Sequence, residues 1–330
     1  MTGALDLARE TGGEPTLPAP APGEATAAVA ALSPLQLFWR RFRKDRVALA
    51  GLVFVVVLVI VALAAPLVVK IFGVSGPNAQ NINNLDSFGQ PAGPSAAHPL
   101  GVDELGRDLL ARVVYGARVS LEVAVIATGI AVVIGVVVGM VAGFFRGWVD
   151  TVLSRVMDIV LSFPILLLAI GLASACSLGK GCLGGLITPG LVVLIVVIAL
   201  SSWPYIGRII RGQVLSLREK EFIDASRSLG ASNTRIIFRE ILPNLVAPII
   251  VYTTLILPTN VLYEAALSFL GVGVQPPTAS WGQMIAEAVP IFDSAWWYML
   301  FPGVALVLTV LAFNLVGDGL QDAFNPRSDR

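Results

Sequence analysis

Charge is scarce in this sequence. Asp, Glu, Lys and Arg make up 13% of its 330 residues, about half the share in a soluble domain, so much of the surface faces something other than water. Its 22 basic and 22 acidic residues cancel, leaving no global basic field that would point to nucleic acid. Histidine occurs once, at His98, and one histidine cannot supply the several ligands of a metal site; it reads as a structural residue of a loop. Two cysteines are too few for a disulfide-rich scaffold or a four-ligand zinc site. The apolar stretches also lack a nucleophile–base pair or a ligand cluster, which argues against an intramembrane enzyme.

Apolar residues are abundant, at 56%, and the mean hydropathy is +0.81. They come in runs: residues 52–69 and 123–145 carry no charge. A hydrocarbon layer roughly 30 Å thick needs about 20 helical residues, and it offers the backbone no hydrogen-bond partner, so such runs are spanning helices. Six are expected, at 47–69, 121–144, 152–173, 186–206, 246–270 and 299–317. Residues 1–33, rich in Ala, Pro, Gly and Thr, read as a disordered tail. Residues 34–46 (PLQLFWRRFRKDR) read as a basic amphipathic helix on the anionic inner leaflet. The A-x-A pattern at 62–64 follows too long an apolar run, too far from Met1, to be a signal-peptidase site.

Lys and Arg cluster before the first span, around the 2–3 loop, through the 4–5 loop and at the end of the chain, which places both termini in the cytoplasm. Arg107, Arg112 and Arg118, ahead of the second span, blur that asymmetry. On this reading 34–71 holds the interfacial helix and first span, 72–120 is extracytoplasmic, 121–318 is the core, and 319–330 is a cytoplasmic tail.

The 4–5 loop, 217–243, is the richest segment. Residues 217–229 have amphipathic periodicity, with Phe222, Ile223, Ala225, Ser226 and Leu229 near one face. Gly230 then ends the helix, and a second short helix over 233–239 leads to Leu242-Pro243 and the fifth span. The result is a helix–Gly–helix elbow outside the membrane. Either it folds back on its own bundle or it docks into a partner and passes that partner's motion to the spans.

Asp224-Ala225-Ser226, Gly230 and Leu242-Pro243 resemble the EAA loop of binding-protein-dependent ABC permeases, although two of the three EAA letters differ and Glu240 replaces an isoleucine. SPLQLFWRRFRKDRVALAGL, HPLGVDELGRDLLARVVYGARVSL (98–121), EAALSFLGVGVQPPTASWGQMI (264–285) and GDGLQDAFNPR are similar to segments of the C-type permease of dipeptide, oligopeptide and nickel importers. That resemblance implies an all-α membrane protein with the type I importer permease fold, in a prokaryotic cell membrane. It also implies a B-type permease partner, two cytosolic ATP-binding subunits carrying ATP and Mg, and an extracytoplasmic solute-binding protein. The chain itself would hold no cofactor and would be non-catalytic. Coupling to the ATPases would fall on Glu221, Asp224, Ala225, Ser226, Arg227, Leu229 and Gly230. The cargo would be a di- or oligopeptide, with nickel complexes or glutathione as alternatives.

Other motifs are weaker. The stretch 174–181 (SACSLGKG) lacks the first Gly and the Ser or Thr of a P-loop. Asn260 and Glu264, inside the fifth span, either face the translocation path or hold the span against a neighbour. Asp158 lies one turn from Arg155, which suggests a local ion pair. Cys176 and Cys182 bracket a short outer loop and fit a disulfide or free thiols equally. Ala131, Gly135, Gly139, Gly143 and Gly147 recur every four residues, a close-packing stripe. A proton-coupled secondary transporter would carry paired carboxylates at mid-membrane and an inverted repeat, and neither is evident.

Overall fold

The computed structural model describes residues 34–177 and 190–324. The tail at 1–33, Cys182 and the last six residues lie outside it. Among the described residues the chain is helical, apart from two isolated bridges, Leu85–Pro91 and Val102–Asp108.

α1 (Pro34–Phe42) turns at Asp45, whose carboxylate accepts from the Val47 and Ala48 amides at 2.9 and 3.0 Å and so caps α2 (Arg46–Leu63). Pro66 has no amide to bond back to Ala62, and the expected first span breaks at Ala64 and resumes as α3 (Ala65–Ile71) with Pro66 in its first turn. Phe38 stacks on Phe324, tying α1 to the C-terminal end of the last helix.

α4 (Leu109–Phe145) begins at 109 rather than 121, capped by Asp108, which accepts from the Ala111 amide at 3.1 Å. Arg112 and Arg118 made its first turns look like loop. The third expected span is two helices, α5 (Gly147–Ser162) and α6 (Ile165–Ser177), bent by 91° around Pro164. α7 (Leu191–Arg218) continues twelve residues past the expected 206. The fifth span runs through α9 (Asn233–Arg235), a π-helical stretch (Ile236–Ile241) and α10 (Leu242–Phe269) without a gap. α11 (Trp281–Ala288) is short, and α12 (Trp296–Phe324) is longer at both ends than expected, so the expected tail at 319–330 starts as helix.

Among the described residues, five helices are long and apolar enough to cross a membrane, and the bent α5–α6 pair makes up to six. The packing of α4 on α7 decides that the pair crosses. A Cβ added at Gly135 would meet Trp203 and Ile206, at Gly139 it would meet Gly207 and Ile210, and at Gly143 it would meet Arg211 and Val214. Numbers rise together on both helices, so α4 and α7 run parallel, and the chain between them must return across the bundle. α5 and α6 make that return. Met157 of α5 packs with Ala131 and Trp203, while Ala169 and Cys176 of α6 pack with Val123 and Val193 near the start of α7.

The glycine stripe is therefore an interface within the chain. A Cβ at Gly139 would stand 2.5 Å from the Gly207 carbonyl oxygen, closer than atoms pack, so only glycine allows this approach. Gly147 is different: it lies past the helix end with φ +66° and open space around it.

Candidate functional site: the elbow between α7 and α10

α1, the last turns of α12, the C-terminal ends of α4 and α7 and the elbow share one end of the bundle. The last turns of α7 are clamped there. Arg218 donates to the Phe144 carbonyl, one of the oxygens that α4 leaves without a helical partner, and its guanidinium lies 5.9 Å from the Phe144 ring centroid. Glu219 accepts from Arg146, and Arg211 binds Asp150 of α5 through two nitrogens at 2.5 and 2.8 Å. Asp158 pairs with Arg155 at 3.6 Å, as its spacing suggested, but Arg208 of α7 is nearer at 2.8 Å. Thus α7 reaches the elbow as a braced arm.

The elbow helix α8 (Glu221–Ser228) starts at 221 rather than 217, because Glu219 and Lys220 leave helical geometry. Glu221 and Asp224 lie in its first turn, where carboxylates meet unpaired amides and the positive end of the helix dipole. Gly230 ends it with φ +79°, and two bonds define a Schellman cap: Gly230 N–H to the Arg227 carbonyl at 2.9 Å, and Ala231 N–H to the Ser226 carbonyl at 3.0 Å. Ser232 caps the next helix through the Arg235 amide at 3.4 Å. The π-helical stretch follows directly before Pro243, which can supply no amide, and Leu242 N–H reaches back five residues to the Ile237 carbonyl.

Only one side chain of α8 is buried. Ile223, with no exposed area, joins a buried cluster that includes Phe144 of α4, Val214 of α7, Ile236 and Ile241 of the π-helical stretch and Leu245 of α10. Glu221, Phe222, Asp224, Ala225, Arg227 and Gly230 are exposed, Ser226 is half-buried, and Leu229 is 88% exposed. α8 is therefore pinned at one point and open along the rest of its surface. A force on its outer face would reach three helices through Ile223.

Asn260 and Glu264 lie elsewhere, in the interior between α10, α4 and α7, and neither has exposed area. The Asn260 amide accepts from Ser202 at 2.8 Å and donates to Thr128 at 2.8 Å, and Glu264 accepts from Ser268 at 2.8 Å. Neither side chain reaches open space: Asn260 joins α10 to α4 and α7, while Glu264 bonds within α10. The suggested disulfide falls on the segment containing Cys182, outside the described residues; Cys176 is buried. His98 Nδ1 and an Asp108 carboxylate oxygen lie 2.8 Å apart, a hydrogen bond within the loop before α4 in which the carboxylate accepts.

Sequence reading missed a charge cluster at the opposite end. Arg107 meets Asp103 at 2.5 Å and Glu287 at 3.2 Å, while Arg112 meets Asp103 at 3.4 Å and Glu287 at 3.1 Å. Tyr298 of α12 donates to Glu287, and Gln283 donates to it at 3.1 Å. Burial works against the Arg107 charge, but Asp103 and Glu287 outweigh it and hold its pKa above the usual arginine value. The available signal was Arg107 and Arg112 themselves: basic residues on the side that should be poor in them are there because acids pair with them.

This helical order is a transporter fold. In the inward-facing MetNI methionine ABC transporter, a chain superposes with a TM-score of 0.54, covering 65% of this chain and 96% of that one at 24% identity, so the fold is that of an ABC transporter membrane subunit. The chain belongs to the family of binding-protein-dependent transport system inner membrane components, whose model matches residues 135–330; residues 33–91 match the N-terminal TM domain of oligopeptide transport permease C. It is 43% identical to the dipeptide transport system permease protein DppC of Alkalihalophilus pseudofirmus over 71% of this chain and 74% of that protein. It is 42% identical to the glutathione transport system permease protein GsiD of Salmonella typhimurium over 89% and 91%. The protein is accordingly a multi-pass ABC importer permease subunit, a class that works with ATPase and solute-binding partners.

Proposed function

We propose that this chain is one of two different membrane subunits of a short-peptide importer in a prokaryotic cell membrane, with both termini and the elbow in the cytosol. A B-type permease completes the pathway, two ATPases carrying ATP and Mg dock beneath, and a solute-binding protein delivers cargo from outside. The observation that carries this reading is the elbow: it presents Glu221, Asp224, Arg227 and Leu229 outward while Ile223 is buried in a cluster drawn from α4, α7 and the root of α10. Closure of the ATPases would move α8, and the braced end of α7 and the root of α10 would follow as rigid bodies.

Dipeptides and oligopeptides are the cargo class favoured by the family match at 33–91 and the relative from Alkalihalophilus. Glutathione is the second reading, favoured by the Salmonella relative's longer alignment. Reconstituted with its partners, the complex should show ATP hydrolysis stimulated by loaded binding protein; comparing dipeptides, longer peptides, glutathione and nickel chelates assigns the cargo. Gly230→Pro, or removal of 221–230, should abolish uptake while the spans still insert. Normal uptake by either variant would remove the coupling role.

A further inference from the structure

Five tyrosines occur in the whole chain, and three of them meet in one place. Tyr205, midway along α7, and Tyr252 and Tyr263 of α10 line an open groove of about 310 Å³, together with Ser202, Ile256 and Thr259. Residues 252, 256, 259 and 263 follow helical spacing, so they form one face of α10. Membrane tyrosines usually sit at headgroup level. These lie within two spans that also expose aliphatic side chains such as Leu200, Ile250 and Leu262.

Tyr205 is 48% exposed and Thr259 is also exposed. Among the described residues, no hydrogen bond engages the hydroxyls of Tyr205, Tyr252, Thr259 or Tyr263. Turned to lipid, each would keep an unmet bonding group in hydrocarbon, which is costly. Each hydroxyl both donates and accepts, and a peptide chain offers a donor and an acceptor at every residue. The groove carries no charged side chain. It can therefore contact amides without trapping a charged end, which suits passage rather than retention.

We infer that this groove is one wall of the substrate path, where the hydroxyls of Tyr205, Tyr252, Thr259 and Tyr263 meet the amide groups of the passing peptide. The inference rests on the importer reading above. Its test uses the complete complex in proteoliposomes, after peptide-stimulated ATP hydrolysis of the unaltered complex has been measured. Without that stimulation the importer reading fails, and the groove assignment goes with it. With it, Thr259→Cys should react with a charged, water-soluble thiol reagent above the baseline set by the native cysteines, and the transported dipeptide plus binding protein should suppress that reaction. Reaction only with a lipid-soluble maleimide would show a lipid-facing groove, and reaction with neither reagent would show one covered by a partner helix; both overturn the inference while leaving the importer intact. In parallel, a variant combining Y205F, Y252F and Y263F, which keeps the rings, should lower dipeptide uptake about fivefold or more while ATP hydrolysis persists. Unchanged uptake would also overturn it.

Discussion

The two ends of this molecule use charge in opposite ways. At the end away from the elbow, Asp103, Arg107 and Arg112 are buried and Glu287 is largely covered, so two cations and two anions close a neutral network between the 72–108 loop, α4, α11 and α12. Trp281 and Trp297 reinforce it by donating to the Val113 and Val102 carbonyls at 3.0 and 3.2 Å. At the elbow the charges stay in solvent: Asp224 and Arg227 pair at 3.5 Å, but both are exposed. Buried ions must find partners inside the chain, because desolvating them is costly; solvated ions on an exposed helix remain available to another protein. One end is closed by its charges, and the other offers them.

The sharpest way to break this contrast is Arg112→Ala. It strips Asp103 and Glu287 of a fully buried partner and should cost about 3–5 kcal/mol of stability, seen as a large fall in the melting temperature of the purified complex. Arg112→Met, which keeps the volume, still leaves the acids unpaired and should rescue little. Full recovery with Met would mean that packing, not charge pairing, holds the cap. Next in size is Leu229→Asp at the elbow. With Leu229 88% exposed, stability should stay within about 0.5 kcal/mol. Co-purification of ATPase subunits and peptide uptake should both fall, and retention of both would show that the exposed turn is not gripped.

The sequence made the existence of six crossings, the elbow, its Gly230 stop and the small-residue stripe legible, because hydrophobic run length, helix stops and four-residue spacing are local signals. Helix ends were less legible. α4 starts twelve residues early and α7 extends twelve residues late because charged residues there, Arg112, Arg208 and Arg211, are neutralised by partners far along the chain. Periodicity cannot see such partners. The same limit applies to Asn260 and Glu264: that they are polar within a span was plain, whereas the burial of both and the union of Asn260 with Ser202 and Thr128 depend on tertiary packing. Likewise the expected third span ran unbroken through Pro164, and only the parallel run of α4 and α7 requires the bent pair to cross.

The smallest expected effect tests how completely the closed end is neutralised. Glu104 stands exposed at the edge of the network; partial desolvation first, then repulsion from Glu287 and Asp103, pushes its pKa above the usual carboxylate value despite the pull of Arg107 and Arg112. A carboxyl with a raised pKa in the folded state is strained when ionised, so it weakens the fold at neutral pH, and that penalty disappears once it is protonated in both folded and unfolded states. Glu104→Gln should therefore raise the melting temperature slightly at pH 7, with the advantage shrinking as pH falls through the carboxylate range. Because the side chain is partly solvated, the gain should be well below the loss in Arg112→Ala. A gain that grew toward acidic pH would have the wrong sign. It would mean that the arginines, not the acids, dominate the field at Glu104.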